Sequence, residues 1–354
     1  MVNCGHFRSG GAKIANPMKD TFGLDDTVVP IFFPSSLVRW LEEEGYDRLA
    51  LIEGTGLETS AIDAPDVLVN FRQHRLLIGN ALKLTGNHHL GIYFGRQLKF
   101  TAMGIVGYAA MSSDTLKQCL ETILKYNKLR APLINMSMEE VEGFVHLRFD
   151  EALDYGPIRI FMFESLIGAS NGMLESMGMG PLYDTQFNLT MSKPEGFEQH
   201  EHLLSISVVF DQPVNEWVFP ASHLLQASSF ADPVTAAAAR RICDDQLSQV
   251  ESHKGLINRI ETLILQTPGK YPSLNEVASH LCTSPRSLRR ELAKLDVTYQ
   301  ALLDRNRKNL AIQYLKTTNM SVQEIAIIMG YSDPANFGRA FRKWTGCSPG
   351  DFRV

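Results

Sequence analysis

Long hydrophobic runs are missing from this chain. Although 44 % of the 354 residues are hydrophobic, no run of about 18 apolar residues occurs, so no transmembrane helix is expected. The opening stretch, MVNCGHFRSGGAKIANPMKD, has no apolar h-region, and no secretory signal is expected either. Its Gly, Ser, Asn and Lys suggest a loose lead-in over residues 1–22. Cysteine is sparse and scattered: Cys4, Cys119, Cys243, Cys282 and Cys347 are odd in number, with no C-x-x-C. That pattern argues against a disulfide framework and a zinc site, and it suits reduced thiols in the cytoplasm. The pairs His88-His89 and His200/His202 lack Cys or carboxylate partners at a recognised metal spacing, so surface or core positions are expected for them. P-loop, G-x-G-x-x-G and H-E-x-x-H patterns are all absent, which leaves an enzyme reading, a metal and a cofactor without support.

What is present is an uneven charge. The net charge is −5, but residues 254–354 carry 15 Lys and Arg against 8 Asp and Glu, leaving 19 basic against 31 acidic residues before them. A basic C-terminal third on an acidic body suggests one nucleic-acid surface and one part that stays clear of it. The length suits two domains.

Along residues 23–232 the patterns mix. Helical spacing covers 35–54, with a break at Gly45, then 65–87, and a further helix opens at Ser113-Asp114 with Leu116, Leu120, Ile123, Leu124 and Tyr126 on one face. Residues 132–149 alternate like strands, as do 203–210 and 216–219. Between them, 158–178 is apolar enough for a buried helix. Residues 233–253 read as a helical linker: Asp232 can cap it and Pro233 suits its first turn. That helix is equally suited to a solvated connector or to a dimer contact.

The C-terminal hundred residues carry the sharper signal. Ser273-Leu274-Asn275-Glu276 is a capping box, followed by Val277, Ala278 and Leu281 on one face. After a short break, Ser284 caps a second helix and Pro285 takes its first position. That helix buries Leu288 and Leu292 and leaves Arg286, Arg289 and Arg290 outside. Two short helices, a tight turn and a basic second helix make a helix-turn-helix over about 273–295. The plan recurs some 48 residues later, over about 321–344. Ser321 and Glu324 form the capping box, and Ile325, Ala326 and Met329 repeat the first core. Asp333 and Pro334 open the second helix, Phe337 and Phe341 bury, and one residue is inserted in the turn. Tyr299 to Lys316 joins the units as a long helix. The expected fold is an α+β N-terminal effector/dimerisation domain followed by an all-α domain, 254–354, with two helix-turn-helix motifs joined by a long helix.

The run from Glu324-Ile325-Ala326 through Gly330-Tyr331-Ser332-Asp333-Pro334-Ala335-Asn336-Phe337-Gly338-Arg339 to Ser348-Pro349-Gly350-Asp351-Phe352-Arg353 resembles the signature of the AraC/XylS family. Ser284-Pro285-Arg286-Ser287-Leu288-Arg289-Arg290 resembles it in the first unit. The resemblance covers about 255–354. More loosely, Thr85-Gly86-Asn87, Gly104-Ile105-Val106-Gly107-Tyr108 and Ser113-Asp114-Thr115-Leu116 resemble the effector domain of one AraC subgroup. That domain is labelled arabinose-binding but responds to varied ligands, so the sugar is not carried over. The resemblance implies that each second helix enters the major groove of promoter DNA. Base readers would be Arg286, Arg289 and Arg290 in the first unit, suited to guanine, and Asn336 and Arg339 in the second, with Asn336 suited to adenine. Ala335 would touch a thymine methyl. Arg307, Arg342 and Lys343 are better placed for phosphates.

The first domain is expected to sense a small-molecule effector, to dimerise, or both. Phe161, Met162, Phe163, Leu166 and Met173 are the candidate lining of a pocket for a small or hydrophobic effector; a plain core, which Met and Phe fill readily, is the alternative for the same helix. A transcription activator working with RNA polymerase is the expected function. The rivals are a ligand-independent architectural DNA-binding protein and an enzyme with an accessory DNA-binding domain.

Overall fold

The computed structural model describes residues 23–353, apart from 26, 65–66, 179–181, 183, 267–268 and 296. The expected lead-in over 1–22, with Cys4, lies outside the described residues. The chain divides into two compact units, with the boundary between Leu247 and Ser248.

The first unit opens with β1 (Thr27–Pro30), which pairs antiparallel with β2 (Leu68–Asn70). Between them come α1 (Phe32–Glu43), α2 (Arg48–Ile52) and α3 (Thr59–Ile62). Gly45, at φ +93°, separates α1 from α2, as its conformational freedom predicts. The expected helix over 65–87 is shorter: residues 68–70 are strand, and α4 (Phe71–Thr85) starts at a capping box made by Asn70 and Gln73. α5 (Leu90–Gln97), α6 (Gly104–Met111) and α7 (Leu116–Arg130) follow. The cap of α7 is Thr115, whose hydroxyl accepts from the Gln118 N–H, rather than Ser113 or Asp114; the backbone is already extended at Thr115.

β3 (Ile134–Val141) and β4 (Phe144–Glu151) form a hairpin in register. Its two turn residues, Glu142 and Gly143, both have positive φ, as a two-residue hairpin turn requires. After α8 (Arg159–Ser176), three short strands complete the sheet: β5 (Gln186–Asn188), β6 (Ser207–Val209) and β7 (Glu216–Pro220), in the order β3-β4-β7-β5-β6. The expected strand over 203–210 contracts to β6. β5 and β6 run parallel and the other pairs antiparallel. One face of the sheet is buried through Leu147 and Phe149 on β4 and Trp217 and Phe219 on β7. Phe187 stacks between Phe149 and Trp217 at 5.8 and 5.5 Å.

α8 and α5 cross closely enough to exclude side chains. A Cβ on Gly91 would stand 2.5 Å from the Phe161 carbonyl oxygen, and one on Gly168 2.6 Å from that of Ile92. Beside this crossing, Glu164 is fully buried, with His89 Nδ1 at 2.6 Å. His89 Nε2 lies 2.8 Å from the Glu195 carbonyl. Burial pushes the Glu164 carboxyl up to about 7, against the opposing pull of His89. The His89 expectation resolves as a core position, while His88 is exposed.

α9 (Pro233–Leu265) is a single helix of 33 residues. The sequence placed its end at 253, and the structure carries it twelve residues further. Gly255 alone costs a helix only about 1 kcal/mol, and Ile260 and Ile264, one turn apart, are fully buried. Within the first unit, Ala239 and Cys243 of α9 pack with Val106, Ala109 and Tyr126. The second unit is helical: the end of α9, then α10 (Leu274–His280), α11 (Pro285–Ala293), α12 (Tyr299–Thr317), α13 (Val322–Ile328) and α14 (Pro334–Thr345). The mixed first unit and all-helical second unit are as the sequence predicted.

Candidate nucleic-acid interface and ligand cavity

The first helices of the two pairs in the second unit start and stop alike. In α10 the Ser273 hydroxyl accepts from the Glu276 N–H at 3.3 Å, and Glu276 accepts from the Ser273 N–H at 2.7 Å. In α13 Ser321 and Glu324 do the same at 3.2 and 2.7 Å. These backbone N–H groups hold both glutamates below the usual carboxylate range. Both helices then stop by the same three bonds. Leu281, Cys282 and Thr283 donate to Val277, Ser279 and Ala278, while Met329, Gly330 and Tyr331 donate to Ile325, Ile327 and Ala326. The left-handed residue of this turn is Gly330 in the second unit, φ +75°, and Cys282 in the first, φ +54°. Gly330 has little alternative, because a Cβ there would stand 3.1 Å from the Gly269 carbonyl.

The second helix of each pair starts at a side-chain cap, Ser284 for α11 and Asp333 for α14, with Pro next. Leu288 and Leu292 of α11 bury with Val277, Ala278, Ile260 and Ile264. Phe337 and Phe341 of α14 bury with Ile325, Ala326 and Met329. α12 serves both cores, giving Leu302 and Leu303 to the first and Ala311 and Leu315 to the second. Its 19 residues span about 28 Å at the standard rise, against about 34 Å between successive major-groove faces.

With one stripe of each second helix fixed in a core, the opposite stripe faces out. Arg286, Arg289 and Arg290 are exposed on α11, and Ala335, Asn336, Arg339, Arg342 and Lys343 on α14. Arg339 Nη2 donates to Asn336 Oδ1 at 2.6 Å, so these two side chains are held as one polar group. Asn336 Oδ1 keeps a second lone pair and Nδ2 both its hydrogens for an adenine. Arg307, expected at a phosphate, is placed differently. Its guanidinium lies over the rings of Tyr271 and Tyr331 at 4.6 and 5.1 Å, and its Nε is buried without a hydrogen-bond partner. It pins the lead-in of the first helix pair to the turn of the second. Sequence spacing missed this arrangement, because Tyr271 precedes the first helix of one pair and Tyr331 the second helix of the other, so the repeat does not relate them.

The first unit contains a cavity of about 220 Å³ between α7, α8 and the sheet. Of the candidate pocket residues, Met162, Phe163, Leu166 and Met173 line this cavity and Phe161 does not. On α8 the residues at 162, 166 and 173 share one face, whereas Phe161 lies on the face against α5, stacked on Phe94 at 5.8 Å. The remaining lining comes from elements far apart in sequence, including His74 of α4, Lys99, Arg130 of α7 and Trp217 of β7, and spacing alone could not assemble it.

Comparison with known proteins agrees with both halves. Residues 45–227 match the N-terminal arabinose-binding domain of AraC transcription regulators, and residues 277–354 match a helix-turn-helix domain. The chain is 32 % identical over 336 residues to the ornithine utilization regulator of Pseudomonas aeruginosa, covering 95 % of this chain and 99 % of that one. It is 36 % identical over 95 residues to the urease operon transcriptional activator of Escherichia coli, 27 % of this chain and 32 % of the other. The crystal structure of the transcriptional regulator CdpR from Pseudomonas aeruginosa matches with 20 % identity and a TM-score of 0.45, covering 91 % of this chain and 98 % of that one. With more than half its length in the family's N-terminal domain and a duplicated helix-turn-helix behind it, the chain belongs to the AraC family of DNA-binding transcription regulators.

Proposed function

We propose that this regulator reads promoter DNA with α11 and α14 in consecutive major grooves and is switched by a small molecule held in the cavity of its first unit. The duplicated, capped helix pair carries the proposal, because it exposes a polar, basic stripe twice and at a fixed helical separation. Arg286, Arg289 and Arg290 read bases through α11. Ala335, Asn336 and Arg339 do so through α14, while Arg342 and Lys343 take phosphates. The ring-bound guanidinium of Arg307 supports a positioning role ahead of a phosphate contact. The sensing part lies within residues 23–232 and the DNA reader within 254–354, joined through α9. The regulator works in the cytoplasm as an activator through contact with RNA polymerase, in keeping with the activator role of the urease operon relative, and it dimerises through its first unit.

The cavity favours a ligand-switched regulator over a ligand-independent architectural protein, since convergent polar groups at an apolar cavity are what a binding site requires. Ornithine is not carried over from the relative's name. Its two ammonium groups call for carboxylates, and none is among the described residues that line the cavity. The test is the affinity of the full chain for a site selected from random DNA, measured from low to physiological salt. Six or more phosphate contacts produce a fall of about a thousandfold or more between 50 and 200 mM salt; a flat response contradicts the proposed surface.

A further inference from the structure

The geometry points to a small amphipathic carboxylate as the ligand of the first-unit cavity: an apolar body against α8 and the sheet, with its anionic end at Arg130. This rests on the reading of that cavity as the effector site and deepens it to a chemical class.

The argument is an inventory of polar groups. Four neutral polar side chains of the lining already donate to backbone carbonyls. Asn127 donates to Ile134 at 2.6 Å, Tyr155 to Leu133 at 2.7 Å, Ser165 to Phe161 at 2.7 Å and Ser170 to Leu166 at 3.0 Å. His74 differs. It is 1 % exposed, both its ring nitrogens lack a hydrogen-bond partner, and it meets the Phe33 ring edge-on at 5.1 Å. Arg130 Nε is likewise buried and unpartnered. Buried donors without partners are rare in native folds, and they mark a place where another molecule completes the bonding. The third basic group, Lys99, is exposed at the edge of the same lining. The charged side chains of the described lining are therefore all cationic. An anion therefore meets only cationic charge along this lining, whereas an ammonium ion would be desolvated beside like charge.

Size narrows the choice. A protein cavity of about 150 Å³ takes up benzene, so 220 Å³ suits roughly nine or ten non-hydrogen atoms on the same scale. Octanoate has that size and chemistry. Leu120, Ile123, Asn127 and Arg130 lie on one face of α7 at helical spacing, so the apolar wall and the cation are set by one rigid element.

The test is calorimetric titration of the full chain with octanoate, octan-1-ol, octylammonium and ornithine, with the fluorescence of Trp217, which lines the cavity, as a second readout. Octanoate binds saturably and about 10- to 100-fold more tightly than octan-1-ol, the range of a charge-assisted hydrogen bond. Octylammonium and ornithine do not bind. Arg130→Glu abolishes the preference for octanoate and admits octylammonium, while Arg130→Lys, with an unchanged melting temperature, keeps octanoate ahead of octan-1-ol. Octan-1-ol, octylammonium or ornithine binding as tightly as octanoate overturns the anion assignment and leaves the cavity as an effector site. Failure of all four to bind overturns the effector-site reading together with the inference.

Discussion

Replacing Arg290 with Ala separates reading from folding in one experiment. The Arg290 side chain is 72 % exposed, and its Nε lies 3.6 Å from Glu291. An exposed pair of that kind contributes about 0–1 kcal/mol, so the melting temperature of the variant should stay within the range of an ordinary surface substitution, about 0.5 kcal/mol. A bidentate contact to guanine is worth about 1–3 kcal/mol, which is about a 5- to 150-fold rise in Kd for a selected site. Binding to unrelated DNA should change far less, and preference should relax at a single base position. A phosphate contact behaves otherwise, weakening all sequences alike and lowering the salt slope by about one. The assay is competition between the selected site and single-base variants of it, with full-length protein. Leu288→Ala, two residues earlier and 1 % exposed, is the contrast, since it opens a core cavity at a cost of about 2–5 kcal/mol and lowers all binding through unfolding. An unchanged specific Kd for Arg290→Ala, or an equal loss on every sequence, refutes the base-reading role.

Two further predictions concern stability. Cys282 occupies the left-handed turn position that Gly330 holds in the second unit, so Cys282→Gly should stabilise the chain by about 0.5–1 kcal/mol, whereas Gly330→Ala should destabilise it; denaturant melts that move in the same direction contradict the repeat. Burial lowers His74 to about 4 in the folded chain, so the unfolded state takes up a proton first as pH falls below about 6.5 and stability drops between there and about 4. By pH 5 the loss attributable to His74 is about 2 kcal/mol. His74→Gln should remove that slope, and parallel pH profiles for the two proteins would show His74 to be solvated or paired.

The second unit was legible in the sequence because its information is local. Caps, prolines and core positions sit within ten residues of each other, and the repeat offset checks each against the other. The expected end of the linker at 253 failed because periodicity could not weigh a lone Gly255 against Ile260 and Ile264, whose partners Leu288 and Leu302 lie far along the chain. The α8 face was read in part: Met162, Phe163, Leu166 and Met173 follow from apolarity, but assigning Phe161 needed the position of α5. His74 and Arg130 were invisible, since a lone His on α4 and a last-turn Arg on α7 carry no mark until the fold sets them on one cavity. Arg307 read as a phosphate contact for the same reason, its two tyrosine rings lying 36 and 24 positions away in sequence.

Hydroxyl-radical footprinting of the full chain on a selected site addresses the central claim most directly. Two protected stretches should appear on one face of the duplex, centred about 10 base pairs apart. Arg286→Ala with Arg290→Ala should erase one, and Asn336→Ala with Arg339→Ala the other. A single protected stretch, or two stretches that survive the α14 substitutions intact, contradicts a regulator that reads DNA with both helix pairs.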